Sequence, residues 1–208
     1  MKKNNSTPGN QVLRRGRTYL LLAVMTLLSF SMSAQNGRWY FGANGGMSFT
    51  TSGTVPLAGS VMNQSEGCAS IVDASNNVIM YTDGTRIWNG NHVNQGYTLG
   101  GAPSSTQNTI IVPIPGSNCT KYYIFTVSAA ETNYGVTNAK QGLRVSLASV
   151  TGTAPATTIT IAGSDLDVNL FSGAYVNDLT SEKLCATSDN AGGYWVMTHG
   201  VGLCMLNT

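Results

Sequence analysis

After residue 30, apolar and polar positions alternate in short runs that never keep a helical spacing. The apolar runs are rich in β-branched and aromatic residues and end at clusters of Gly, Asn, Asp and Ser, which is typical of strands joined by turns. Three segments repeat one order of features: an opening serine, a β-branched strand, a turn and an aromatic strand. They cover residues 65–88, 105–127 and 181–200. Each predicts a β-hairpin, and we expect an all-β chain.

The spacing of these repeats predicts the architecture. The opening serines, Ser65, Ser105 and Ser181, are 40 and then 76 residues apart, and a unit of about 40 to 50 residues made only of strands is typical of a propeller blade. The longer middle unit holds two further strand candidates, Leu143–Val150 and Thr157–Ile161, before a polar connection. We therefore predict an incomplete β-propeller of roughly two and a half four-stranded blades.

The predicted organisation has five parts. They are a signal peptide (1–34), N-terminal strands (35–64), blade one (65–104), blade two (105–180) and a partial blade three (181–208). In the second part, Trp39–Phe41 is a candidate for the strand that closes a propeller ring, and Met47–Thr50 is a second strand. Because a propeller needs at least about four blades, we expect the sequence to belong to a longer protein.

The charges separate a leader from the rest. Five of the eleven basic residues precede Tyr19, while the sequence after Ala34 has six basic and nine acidic residues. The weakly acidic sequence after Ala34 lacks the excess of basic residues that binds phosphate groups, so we do not expect a nucleic-acid partner. The leader has a basic start, an apolar run Tyr19–Phe30 and a small-residue stretch ending at Ala34. That run is shorter than the ~20 residues that span a bilayer. The leader as a whole therefore predicts export, with membrane contact only through the export machinery.

Export places the four cysteines, Cys68, Cys119, Cys185 and Cys204, where disulfides persist. Three pairings are open to four cysteines. Cys185 and Cys204 fall on neighbouring predicted strands, which makes that pair the easiest to join. No Cys-x-x-Cys pattern or Cys/His cluster predicts zinc.

A string of short motifs runs from residue 39 to residue 199. In order, they are Trp39–Gly42, Ser65–Ile71, Tyr81–Gly84, Ile87–Asn89, His92, Ser104–Gln107 with Ile110–Pro113, Tyr122–Thr126, Gly142–Arg144, Glu182–Leu184 and Tyr194–Val196 with His199. Together they resemble the N-terminal propeller-like region of large secreted surface proteins of Bacteroidota. In that family, PKD repeats and a gliding-motility-associated C-terminal sorting domain follow. The resemblance implies export by the type IX route to the cell surface or medium, although neither following part occurs in this sequence.

Equivalent positions in successive blades lie on one ring, so the repeats predict a shared polar rim. Glu66 and Glu182 each follow an opening serine, and Thr106 and Gln107 occupy the corresponding place in the middle repeat. Asp83 and His199 each follow a repeated threonine. Such carboxylates and a histidine can do acid/base work or bind a sugar. The alternative is structural, because polar residues at strand ends often satisfy backbone groups or join blades; Asp83-Gly84 also indicates a turn.

A glycan-cleaving enzyme is the rival interpretation. Thr82–Trp88 resembles the Asp box of sialidases in composition, but its Asp and Gly are adjacent, so the spacing differs. Three arginines, Arg38, Arg86 and Arg144, match the number that sialidases use against a carboxylate, although nothing in their spacing selects them. Several tryptophans and tyrosines could stack on sugars, yet in strands aromatics usually pack between sheets. They are Trp88, Trp195 and Tyr40, Tyr81, Tyr122, Tyr123 and Tyr194.

The acidic stretch Asp165, Asp167 and Asn169 has the alternation of a calcium loop. An EF-hand would need Gly and Glu where the chain has Leu170 and Val176, so only a looser calcium site remains. We expect no other cofactor, and no nucleophile elbow, phosphate loop or dinucleotide fingerprint occurs.

The sequence therefore predicts a non-catalytic recognition or scaffold module of a secreted or cell-surface protein, engaged in adhesion or gliding. Its partner would be an extracellular protein or glycan. The alternatives are a propeller-type glycosidase, and a truncated gene product with no function of its own.

Overall fold

The computed structural model describes residues 37–50, 52–129, 142–170 and 180–200. These residues form thirteen strands and one short 3-10 helix (Gly163–Asp165). The strands are β1 Arg38–Phe41, β2 Gly45–Thr50, β3 Gly53–Pro56, β4 Ala69–Val72, β5 Val78–Thr82, β6 Ile87–Asn89, β7 Thr109–Pro113, β8 Lys121–Val127, β9 Leu143–Thr151, β10 Thr158–Thr160, β11 Val168–Asn169, β12 Thr180–Ser188 and β13 Tyr194–Gly200.

The strands make four antiparallel sheets. The N-terminal sheet has the order β1-β2-β3 and the second sheet the order β4-β5-β6. The third sheet has the order β10-β9-β8-β7, with β11 also paired to β9, and the fourth sheet is the pair β12-β13. The predicted all-β class is confirmed.

The three predicted hairpins are confirmed as β4–β5, β7–β8 and β12–β13. Two of their turns use the same chemistry. The Asp73 Oδ1 atom accepts hydrogen bonds from the Ser75 and Asn77 amides, at 2.9 and 2.8 Å. The Asp189 Oδ1 atom likewise accepts from the amides two and four residues later, at 2.8 and 2.7 Å. A short Asp side chain that bonds its own turn favours a tight reversal, so the first and third repeats reverse directly after their first strands.

Outside the hairpins, the strand candidates in the middle unit are confirmed as β9 and β10. Two strands, β3 and β11, were not predicted. β3 begins with Gly53 and ends with Pro56, which read as turn residues, and β11 is only two residues long.

Residues 65–104 form three strands rather than the expected four. In place of the fourth, residues 94–99 run irregularly beside β6, with amide-to-carbonyl bonds of 2.9 Å from Gln95 to Ile87 and from Leu99 to Thr85. The side chains of this stretch turn to the third sheet instead. Gln95 Oε1 accepts the Ile159 amide at 3.0 Å, and the Tyr97 hydroxyl accepts the Ile161 amide at 2.9 Å. These bonds cap the outer edge of β10, which would otherwise present unpaired amides.

Apolar cores lie on both faces of the second sheet, which explains why every residue of β5 is buried. Ile79 and Met80 join a cluster with residues of the third sheet, including Tyr122 and Ile124. On the opposite face, Tyr81 and other side chains pack in a cluster with the N-terminal sheet. A one-residue slip would exchange the side chains that face these two clusters, so the packing on both faces specifies the register.

The predicted signal peptide lies outside the described residues. Within the described part of the chain, no helix has the length and apolar character needed to cross a membrane.

Candidate functional site

Successive repeats are joined where their first strands begin. The Gly67 amide donates to the Ser105 carbonyl at 3.1 Å, and the Gln107 amide donates to the Glu182 carbonyl at 3.0 Å. The Glu182 Oε2 atom also accepts from the Thr106 amide at 3.1 Å and hydroxyl at 2.9 Å. The structure thus brings Glu182 to Thr106 and Gln107, the positions that the repeats align. There the carboxylate has a joining role.

A buried asparagine completes the junction between the second and third sheets. Asn108 is fully buried, and its Nδ2 atom donates to the carbonyls of Asp83 at 2.7 Å and Ala102 at 2.9 Å. Gly67 lies so close that a Cβ there would be 2.8 Å from Asn108 Oδ1 and 2.9 Å from the Ser105 carbonyl oxygen. The chain can approach this closely only because Gly67 has no side chain.

Asp83 is a buried turn residue and does not reach a shared rim. Its Oδ1 atom accepts bonds from the Thr85 amide at 2.8 Å, the Thr85 hydroxyl at 2.7 Å and the Arg86 amide at 2.6 Å. Its Oδ2 atom is 3.4 Å from the Arg86 guanidinium. Together with Gly84 at a φ of +81°, this geometry bears out the turn indicated by Asp83-Gly84.

His199 and Asp83 differ in environment, although the repeats align them. His199 lies within β13 and is exposed, with Nδ1 3.1 Å from the Gly200 carbonyl oxygen. Asp83 follows the end of β5 and is 1% exposed. The two aligned positions therefore differ in burial and in their place relative to the end of the strand.

The first strands of the four sheets surround a cavity of about 1050 Å³. β1 contacts β4, β4 contacts β7, and β7 contacts β12. Side chains from all four strands line the cavity, as do residues of β2 and the segments that precede β4 and β7. The described lining residues are Trp39–Phe41, Met47, Phe49, Glu66–Ile71, Thr106, Gln107, Thr109–Pro113, Leu184–Ser188 and Tyr194.

One wall of this cavity is aromatic. Trp39 and Phe49 make an edge-to-face pair, with ring centroids 4.9 Å apart and 46% and 37% of the residues exposed. Phe41 points to the same side of β1 as Trp39, since strand residues two apart share a face. Across the cavity, Tyr194 is also exposed. The sequence interpretation considered Tyr194 but missed Trp39, Phe41 and Phe49. The sequence did contain a sign of this wall. β1 carries aromatic residues on both of its faces, although only one face is needed for a core.

The cavity is almost uncharged. Glu66 is the only charged side chain among its described lining residues, and it is exposed. Neutral hydroxyl and amide groups, including Ser70, Thr106, Gln107 and Thr187, supply the polar part of the wall. None of the three arginines considered for carboxylate recognition reaches it.

Two cysteines also line the cavity. Cys68 is half-buried, and burial raises the pKa of its thiol, as does the nearby Asp83 carboxylate. Cys185 is exposed on β12 and forms no disulfide with a described residue; Cys204, its predicted partner, lies outside the described residues. Cys119 is exposed in the β7–β8 turn.

The predicted calcium residues are partly engaged elsewhere. Asp167 Oδ1 is 3.0 Å from Arg144 Nε, and the Asp167 amide donates to Ser146 Oγ at 2.8 Å. Asp165 ends the 3-10 helix, and Asn169 lies in β11. Across the described ranges, no three His, Cys, Asp or Glu side chains are grouped as a metal site.

Most of the remaining aromatics are structural. Tyr81 stacks on Trp88 at 5.3 Å and packs against Tyr40 at 4.8 Å, all three buried. His92 lies edge-on to both tyrosines, with Nδ1 2.9 Å from the Tyr81 hydroxyl. Burial raises the pKa of Tyr81 to about 12 and lowers that of His92. This cluster joins the N-terminal and second sheets, and Tyr40 is its one aromatic member that also lines the cavity.

Comparisons of the chain with protein-family models, curated proteins and solved structures found no match. Its function is therefore inferred from its residues and their geometry.

Proposed function

We propose that this chain is a non-catalytic recognition and scaffold module of a secreted or cell-surface protein, built as a propeller-type assembly of stacked sheets. The arrangement that supports it is the cavity bordered by the first strands of successive sheets. In propellers, equivalent strands of successive blades surround a common axis. The N-terminal sheet would count as a blade of its own, with β1 as its inner strand rather than as a closing strand.

The positions of the carboxylates support the proposal that the chain is non-catalytic. Hydrolysis of a glycosidic bond normally takes a pair of carboxyl groups that flank it. Among the described residues, Glu66 supplies the only carboxylate that lines the cavity. Glu182 is bonded to Thr106, and Asp83 is buried in a turn. One carboxylate in a large neutral cavity favours binding over cleavage.

The proposed secreted location rests on the leader and on the resemblance of the motif string to bacterial surface proteins. Few charges, many Ser, Thr and Asn residues and short turns suit a domain that displays a surface. A scaffold with one preformed cavity can present a ligand site while the sheets keep its walls fixed.

The test separates binding from cleavage. The full chain, expressed with its leader in a Gram-negative host, is recovered from periplasm or medium and incubated with soluble polysaccharides and with proteins of a bacterial surface extract. We expect saturable retention of one ligand class and no release of reducing sugar. Sugar release by the wild type that Glu66→Gln abolishes would favour the glycosidase, and protein found only in the cytoplasm would contradict the location.

A further inference from the structure

We infer that the cavity binds a neutral, extended oligosaccharide, with Trp39 as the ring on which one sugar stacks. This inference rests on the proposed recognition function and names its ligand class. Its basis is the coincidence, in one cavity, of accessible aromatic faces, neutral polar groups and almost no charge.

The aromatic wall presents exposed, well-supported rings that a ligand can contact. Trp39 belongs to a two-residue edge-to-face pair, in which Phe49 supports the indole from its side while almost half of Trp39 remains accessible. Gly45 lies opposite Phe41 in the β1–β2 register, so no side chain covers Phe41 from that strand. Large aromatic rings normally bury most of their surface. Exposed rings held in place at a cavity favour a partner with a flat apolar face, such as the C–H face of a pyranose.

The polar groups fit the rest of a sugar. The Thr187 hydroxyl and the Gln107 side-chain amide line the same cavity, and the Thr106 hydroxyl, which donates to Glu182, can still accept a hydrogen bond from a ligand. Such groups both donate and accept, as sugar hydroxyls do. A binding site that is mainly apolar, with a few polar groups that fix orientation, is the usual design for small ligands.

The charge and the volume of the cavity further limit the class of ligand that fits it. With Glu66 as the only charged lining residue described, a sulfated or carboxylated glycan would meet one like charge and no cation. The volume of about 1050 Å³ slightly exceeds the ~300 to 1000 Å³ common for small-molecule sites, so several sugar units fit better than one.

An extended peptide is a weaker match, because strand addition needs a free sheet edge. The inner strands contact one another from β1 to β12, and the Tyr40 amide of β1 is already bonded to Ser70 Oγ at 3.0 Å. Those edges leave little room for a further strand.

Titration calorimetry of the full secreted chain tests the inference. The ligands are neutral hexasaccharides from cellulose, xylan, mannan, starch and chitin, a sulfated and a carboxylated oligosaccharide of the same length, and a set of extended peptides. We expect at least one neutral hexasaccharide to bind, about tenfold more tightly than either anionic glycan. We also expect Trp39→Ala to weaken that binding about tenfold, the loss expected for one stacked aromatic ring.

Trp195→Ala is the matched control. Trp195 is even more exposed than Trp39 but does not line the cavity, so its removal should leave the affinity unchanged. Gln107→Ala, at an exposed residue, supplies a second variant if Trp39→Ala does not fold as judged by near-ultraviolet circular dichroism; it should weaken binding severalfold.

The outcomes also separate this inference from the proposed function. Binding only to peptides, preference for an anionic glycan, absence of neutral-sugar binding, or equal affinities of wild type and both cavity variants would each overturn the ligand class, while a recognition role could stand. Cleavage of the bound neutral oligosaccharide would support the ligand class and overturn the non-catalytic function.

Discussion

Asn108 shows how much one buried polar side chain can contribute to this fold. Its Nδ2 atom satisfies two carbonyl groups at the junction of the second and third sheets. In Asn108→Ala the buried Asp83 carbonyl would lose this partner, at a cost of about 1 to 3 kcal/mol, while the Ala102 carbonyl would keep the Ser105 amide. We expect the free energy of unfolding to fall by about 2 kcal/mol or more, measured by urea denaturation of the purified protein.

The control for Asn108 is Asn91→Ala. Asn91 is exposed in the turn after β6, so its replacement should change the free energy of unfolding by less than about 0.5 kcal/mol. Equal effects of the two substitutions would mean that the buried bonds contribute little.

His92 gives the fold a dependence on pH. Burial lowers the pKa of this histidine, so the unfolded chain binds a proton more readily than the folded one. That contribution to stability is complete above the unfolded pKa of about 6.5 and is lost as the pH falls towards the folded pKa. We expect the melting temperature to drop between roughly pH 7 and pH 5, and to drop less in His92→Asn.

Asparagine suits this comparison, because position 92 has a φ of +65°, which Asn adopts more readily than most residues. The Tyr81 hydroxyl, whose pKa is about 12, stays protonated throughout the range. Parallel melting curves for wild type and variant at every pH would assign the dependence to another group.

At the scale of elements, the junctions between sheets depend on close backbone approach. In Gly67→Ala the new Cβ would meet the Ser105 carbonyl oxygen and Asn108 Oδ1 at under 3 Å. Overpacking of this kind costs about 1 to 3 kcal/mol, so we expect a lower urea midpoint. Gly163→Ala is the control, because no atom lies within 4 Å of a Cβ there. A urea midpoint unchanged by Gly67→Ala would contradict this expectation, because it would mean that the second and third sheets move apart at little cost in free energy.

The sequence predicted these elements where local chemistry decides them. β-branched and aromatic runs with Asp-, Asn- and Gly-rich turns were enough for the hairpins, and the repeats placed Glu182 beside Thr106. Residue equivalence failed for Asp83 and His199, because β5 ends at Thr82 whereas β13 continues to Gly200. The excess of aromatic residues on β1 could have indicated the aromatic wall, but the cavity itself could not be predicted, since β1 and β12 line it from distant parts of the chain and no periodicity reports such a meeting.

At the scale of the whole molecule, the fourth sheet carries two exposed large apolar side chains, Trp195 and Met197. In the β12–β13 register, Cys185 and Thr187 lie beside Met197 and Trp195, and all four are exposed. Trp195 and Met197 are 66% and 49% accessible. Two large, exposed apolar side chains side by side on a sheet favour association between molecules.

We therefore expect residues 35–208, expressed alone, to self-associate and to bind the dye ANS. The double substitution Trp195→Thr and Met197→Thr should lower both, because threonine keeps strand propensity and removes apolar surface. Light scattering against concentration measures the effect, with Val93→Thr, at an isolated exposed valine, as the control. A monomeric wild type at high concentration would contradict the expectation.

Each of the four sheets is formed from one continuous stretch of sequence, and its strands pair mainly with their neighbours along the chain. Contacts between residues close in sequence form quickly, because little chain has to be closed into a loop first. A nascent chain could thus complete its sheets one after another, from the N-terminal end, as it leaves the ribosome. Each new sheet would find the preceding one already in place as a surface to fold against.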